Sequence, residues 1–162
     1  YQQVLPGLAP ERQLLLIPRS EVSKVERALR RGGPWVVSIL SAGNVLRGEK
    51  QVLAFADVRP SRQVVSRGDV LASVILDPDE REVAQVDGRL QLLLAAARTE
   101  TRRRGSLAPS LQVDRLALRA AAQELVDRPG NDQVLLEVLA QRDSDTADPV
   151  RVELRANSLT GP

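Results

Sequence analysis

Residues 33–82, GPWVVSILSAGNVLRGEKQVLAFADVRPSRQVVSRGDVLASVILDPDERE, decide the fold. The stretch reads as three or four strands running into a helix start. Trp35–Leu40 and Val52–Val58 are apolar on both faces, with Leu53 and Phe55 opposing Val52, Ala54 and Ala56. Strands of that kind belong in the interior of a sheet. Ser41-Ala42-Gly43-Asn44 breaks the chain between them, and asparagine suits a left-handed turn position. Val45–Glu49 and Val64–Asp69 each carry an apolar pair into Arg, Gly and an acid, the same kind of hairpin turn used twice. Val70–Leu76 is a further strand. Asp77-Pro78-Asp79-Glu80 then supplies an N-cap, a proline at the first helical position and acids in the first turn.

Upstream, residues 1–12 are rich in Gln, Pro and Gly and read as a lead-in. Gln13–Ile17 is a short apolar run ended by Pro18, the pattern of a buried strand. Ser20 is the expected cap of a helix whose Val22, Val25, Ala28 and Leu29 share one face and which stops at Gly32-Gly33-Pro34. Downstream, Val83, Val86, Leu90, Leu93, Leu94 and Ala97 recur at helical spacing up to Arg102-Arg103-Arg104-Gly105, with Gly88 marking a bend. A third helix starts near Asp114 and stops at Pro129-Gly130. Two strands follow, Gln133–Gln141 and Val150–Ala156, the second alternating Val, Val, Leu, Ala with Arg, Glu, Arg. Arg142–Pro149 is read as an acidic hairpin loop between them, and residues 158–162 as a tail. The expectation is one α/β or α+β domain over residues 13–157, a mixed sheet of about five to seven strands with about three helices.

Composition narrows the chemistry. The 162 residues include no Cys, His or Met, and the aromatics are Tyr1, Trp35 and Phe55. The core is therefore built from Leu, Val, Ile and Ala. Without Cys and His there is no disulfide, no cysteine nucleophile, no histidine base and no Cys/His zinc site. Lys24 and Lys50 are the lysines among 23 basic residues, and the net charge is only +2, too small by itself to mark a nucleic-acid footprint. The longest apolar run, Leu92–Ala97, falls far short of the ~18 residues of a membrane span, so the fragment reads as soluble. A start at Tyr1 and the ending Asn157–Pro162 read as a piece of a longer protein.

Two clusters could carry chemistry. Asp57, Asp69, Asp77 and Asp79 lie near strand ends, where carboxylates could hold a magnesium ion for phosphodiester chemistry. Helix capping explains Asp77 and Asp79, and a turn explains Asp69. Arg98, Arg102, Arg103 and Arg104 could bind phosphate or anionic lipid. They are equally a solvated helix end at the favourable pole of its dipole, and no interleaved aromatics offer stacking for bases. Arg67-Gly68-Asp69 spells an adhesion tripeptide that a turn accounts for, and an anion at the Ser20 helix start competes with an ordinary cap. No cofactor and no catalytic set is expected.

The runs WVVSILSAGNVLRGEKQVLAFADV, RQVVSRGDVLASVILDP and GRLQLLLAAARTETRRRG resemble the C-terminal domain of an uncharacterised, mainly cyanobacterial family called domain of unknown function 3084. The resemblance is strongest over Gln13–Arg104 and extends to about Ala156. The loop Asp143–Pro149 departs from it, standing where the family has a turn with tyrosine and glycine. The resemblance implies N-terminal membrane spans, a long coiled coil and this terminal domain as a globular head. From it follow a homo-oligomer formed through the coiled coil, a membrane link only through the missing spans, and a non-enzymatic interaction or self-association role, with the cytoplasmic side preferred. Contact surfaces would be the edges of the final hairpin or the helix Val83–Ala97. A carboxylate and metal centre acting on phosphodiesters beside the arginine patch is the alternative.

Overall fold

Three helices and nine strands make up the described residues of this computed structural model, 14–45 and 50–159. The lead-in 1–12, residues 46–49 of the first expected turn and residues 160–162 of the expected tail lie outside them. The class is α+β with mixed sheets, as the sequence indicated. The chain divides into two compact units, residues 1–61 and 62–162. No helix of the described residues is long and apolar enough to cross a membrane.

In the first unit β1 (Leu14–Leu16) leads through α1 (Arg19–Leu29) into β2 (Trp35–Ser41) and β3 (Gln51–Pro60). The sheet order is β1-β3-β2, with β1 parallel and β2 antiparallel to β3. Seven consecutive pairs, from Trp35 opposite Pro60 to Ser41 opposite Ala54, join β2 to β3 without a shift. Pro18 and not Ser20 stands at the N-cap of α1, and its carbonyl accepts from the N–H of Glu21. Ser20 is already inside the helix because Pro18, at φ −57° and ψ 143°, turns the chain first. Gly32 and Gly33, at φ 72° and 83°, end the element in the left-handed region open to glycine.

β3 is central, yet the apolar character of both strands does not signal burial. Val52, Ala54 and Ala56 are buried, whereas Leu53 (55%), Phe55 (41%) and Leu40 (44%) stay exposed. β2 is an edge strand, which corrects its expected place in the sheet interior.

The second unit is a two-layer arrangement. β5 (Val70–Leu76), β7 (Gln133–Ala140), β9 (Arg151–Leu159) and the short β6 (Gln112–Val113) form a sheet in the order β5-β7-β9-β6. α2 (Val83–Arg103) and α3 (Arg115–Asp127) cover one face. Alternation chooses that face: Val134, Leu136 and Val138 of β7 are fully buried beside Leu76 and Val152 and meet Val86, Leu90, Leu93 and Ala97 of α2 and Leu125 of α3. The opposite face carries Glu137, which accepts from Arg155 at 2.8 Å. β9 continues to Leu159, opposite Gln133, two residues into the expected tail. The final hairpin is internal along β7, so β7 offers no free edge.

Two local readings change. The Asp77 capping box forms, but it starts a single 3₁₀ turn, Pro78–Glu80, and α2 begins only at Val83 behind Glu82. Arg81 intervenes, donating from Nη1 to the carbonyls of Arg128 and Gly130 and from Nη2 to that of Asp132. The acidic loop 142–149 contains β8 (Ser144–Asp145), which pairs with β4 (Gln63–Val65). The buried Thr146 hydroxyl accepts from the Arg62 N–H and donates to the Arg62 carbonyl, both at 3.1 Å, extending that pairing. α3 keeps the expected cap, with Asp114 Oδ1 accepting from the N–H groups of Leu116 and Ala117.

Gly88 sits in α2 at ordinary helical φ, with nothing within 4 Å of where a Cβ would be. Gly88→Ala therefore removes the backbone-entropy cost of a helical glycine and should raise unfolding stability by about 1 kcal/mol in denaturant melts. A destabilised variant would show that the position is constrained by something other than helix propensity.

Candidate functional site

Each candidate carboxylate has its own local setting. Asp57 lies in β3 of the first unit, where its Oδ2 accepts from Arg59 Nε at 2.6 Å. Asp69 closes the turn before β5, its Oδ2 accepting from the Ser66 N–H at 3.1 Å and from Arg104 Nη1 at 2.6 Å. Asp77, beyond the other end of β5, accepts from Gln133 Nε2 at 2.6 Å, and Asp79 stands exposed in the 3₁₀ turn. The seven residues of β5 separate Asp69 from Asp77, and at about 3.3 Å per residue that keeps the two ends ~25 Å apart. Among the described residues no three Asp or Glu gather as a metal site. The tripeptide Arg67-Gly68-Asp69 is a turn, with Gly68 at φ 86° donating to the Ala140 carbonyl.

The arginines at the end of α2 form a latch. Arg98 donates to the Pro109 carbonyl at 2.6 Å. Arg103 donates from Nε and Nη2 to both oxygens of Glu100, and Arg104 Nε reaches Glu100 Oε1 at 2.8 Å while its Nη1 holds Asp69. Arg102 is exposed at the helix end. Hydrogen bonds from Arg103 and then Arg104 hold the Glu100 carboxyl down at about 2. The same bond raises Arg104 above the ordinary arginine value. Glu100 is legible in the sequence through its spacing of three and four residues from these arginines, the helical ion-pair geometry. What the cluster does is fasten the end of α2 to the turn ahead of β5.

A groove of about 450 Å³ runs between α2 and α3. Val86, Leu90, Leu94 and Leu118 give it an apolar floor, and Asp87 and Arg119 stand among its polar lining. It is a cleft suited to an apolar group with a hydrogen-bonding rim.

The first unit presents the other notable surface. Its sheet face opposite α1 carries Leu53, Phe55 and Leu40, all exposed. One edge of β3 is closed by side chains: β1 pairs only as far as Leu53, and beyond it Glu21 Oε2 accepts from the Ala56 N–H while Lys24 Nζ donates to the Ala56 carbonyl, both at 3.0 Å. Among the described residues no strand pairs with the outer edge of β2. No charged side chain lies along Trp35–Ser41.

A family model described as the DUF3084-associated C-terminal helical hairpin matches residues 65–159, which contain both α2 and α3. An uncharacterized protein of the cyanobacterium Nostoc sp. (strain PCC 7120) is 33% identical over 145 residues, covering 89% of this chain. The chain spans 28% of the length of that relative. No solved structure matches.

Glu100 gives a pH signature with a definite sign. Its carboxyl is held below the ordinary 4.5, so its stabilisation is present above that value and is lost as pH falls through about 2. Carboxyl carbon shifts followed by NMR should give Glu100 a midpoint near 2, and Glu100→Gln should remove the stability change across that window. A midpoint close to 4.5 would mean that the latch does not form in solution.

Proposed function

We infer the function of this chain from the family it belongs to, that of the DUF3084-associated C-terminal helical hairpin: it is a non-enzymatic interaction and self-association domain of a longer scaffold protein. In this reading the scaffold carries membrane spans and a coiled coil, with this chain as its head. The resemblance in the strand runs and the greater length of the Nostoc relative support that setting. The observation that carries the proposal is the exposed apolar cluster on the first sheet, Leu53, Phe55 and Leu40 on adjacent strands, bordered by the Asp57–Arg59 pair. Solvent-facing apolar clusters of this kind are where proteins meet partners. A coiled coil upstream would hold copies side by side, so a second head is the partner such a face meets at the highest local concentration.

Light scattering on the isolated chain, followed from low to high micromolar concentration, tests this. The expected result is a mass rising toward twice 17.7 kDa. A strict monomer throughout would contradict self-association.

A further inference from the structure

The hydrogen-bond pattern of the first sheet fixes which backbone groups of β2 point outward, unpaired among the described residues. The Ala56 N–H and carbonyl point away from β2, since Glu21 and Lys24 hold them from the other side. Ala56 stands opposite Ile39, so this is a pair without direct backbone bonds, and the Ile39 groups must point to the outer edge. The ends of the ladder agree. Ala42 donates to Leu53 and Ser61 donates to Pro34, so the even-numbered residues of β2 face β3. Trp35, Val37, Ile39 and Ser41 therefore present their N–H and carbonyl groups outward.

Such an edge is a template for another strand, and proteins ordinarily blunt it with charge, proline or a bulge. β2 has none of these: it holds seven unshifted pairs and contains neither proline nor a charged residue. β5, the end strand of the other sheet, does carry a register shift between Val70 and Ala72. Taking the self-association reading as its basis, we propose that β2 pairs antiparallel with β2 of a second copy of this chain, about a two-fold axis between the two Ser38 residues.

The sequence around Ser38 is self-complementary in that register. Trp35 meets Ser41 and Val37 meets Ile39 as hydrogen-bonded pairs, each twice by symmetry, which satisfies all four outward residues with about eight backbone bonds. Neighbouring registers leave at least one of the four without a partner. Val36 faces Leu40 on the open side, and small Ser38 faces itself at the axis. No like charges are brought together anywhere along the pair. A two-fold axis normal to the sheet keeps each face on its own side. The exposed Leu40 and Phe55 of both copies then lie on the same face of a six-stranded sheet, with the Asp57–Arg59 pairs beside the axis between them. On the other side Val37 and Ile39, 39% and 47% exposed, are uncovered enough to accept the approach.

The absence of cysteine makes a cross-link decisive. In the proposed pair Ser38 occupies a non-hydrogen-bonded position, with Cα atoms about 4.5 Å apart, inside the range a disulfide spans. Ser38→Cys in the full 162-residue chain should convert most of the protein to a covalent dimer under mild oxidation. Leu40→Lys should shift the scattering mass to monomer while leaving the cooperative melt in place. Ser73→Cys, in the end strand β5, should remain uncross-linked. A dimer that cross-links through Ser73 and not Ser38 overturns the β2 pairing and leaves self-association standing. A dimer in which neither position cross-links likewise overturns the pairing alone. A chain that is monomeric by scattering and gives no Ser38 cross-link overturns both.

Discussion

Two hydrogen bonds to one residue set the form of the first unit. β1 spans three of the described residues, and beyond Leu53 no described strand pairs with that edge of β3. At Ala56 both backbone groups would be orphaned there, a cost comparable to a lost hydrogen bond for each. Glu21 accepts from one and Lys24 donates to the other, so a carboxylate and an ammonium three residues apart on α1 take the place of the missing strand. Charge assistance makes such bonds stronger than neutral ones. They also hold α1 over β3, with Val25 and Ala28 half-buried, and thereby decide which face is covered. Among the described residues the unit closes one edge and one face by its own means, and leaves the β2 edge unpaired and Leu53 and Phe55 exposed.

The second unit is built the opposite way. Nearly every fully buried side chain of the described residues lies in it, and its sheet faces separate cleanly into a core side and a polar side with the Glu137–Arg155 pair. Its charged residues work as fasteners. Arg81 gathers three carbonyls of the connection between α3 and β7, and Glu100 with Arg104 and Asp69 ties the end of α2 to the start of β5. Arginine suits both tasks because its planar fork can hold several acceptors at once. The family match falls on this unit, and the bare surfaces fall on the other.

Much of this was legible in the residues and some was not, for physical reasons. Helical spacing in α2 picked out Val86, Leu90, Leu93 and Ala97, all buried, and alternation in β9 picked out Val152 and Leu154. Those signals are local and repeat, so they survive without tertiary information. Asp77 displayed every mark of a helix start, yet the helix waits for Val83 because Arg81 is drawn to carbonyls about fifty residues away, which no local pattern records. The loop 142–149 looked solvated by composition, but Ser144 and Thr146 are buried by pairing with β4 and Arg62. Double-sided apolarity in β2 and β3 implies burial inside one sheet, but side-chain chemistry alone cannot tell a core strand from an edge strand. Among the candidate site residues, local roles explain Asp69, Asp77, Arg103 and Arg104, and the strand between Asp69 and Asp77 keeps them apart.

Amide hydrogen exchange resolved along β2 tests the central claim most directly, because alternate residues report on opposite edges of one strand. The N–H groups of Val36, Ser38 and Leu40 should be protected at every concentration, since they face β3. Those of Val37, Ile39 and Ser41 should exchange fast in dilute chain and slow markedly as concentration rises into the range where the mass doubles. Outward amides that exchange equally fast at all concentrations, or are already protected in the most dilute chain, would contradict an edge left open for a second copy.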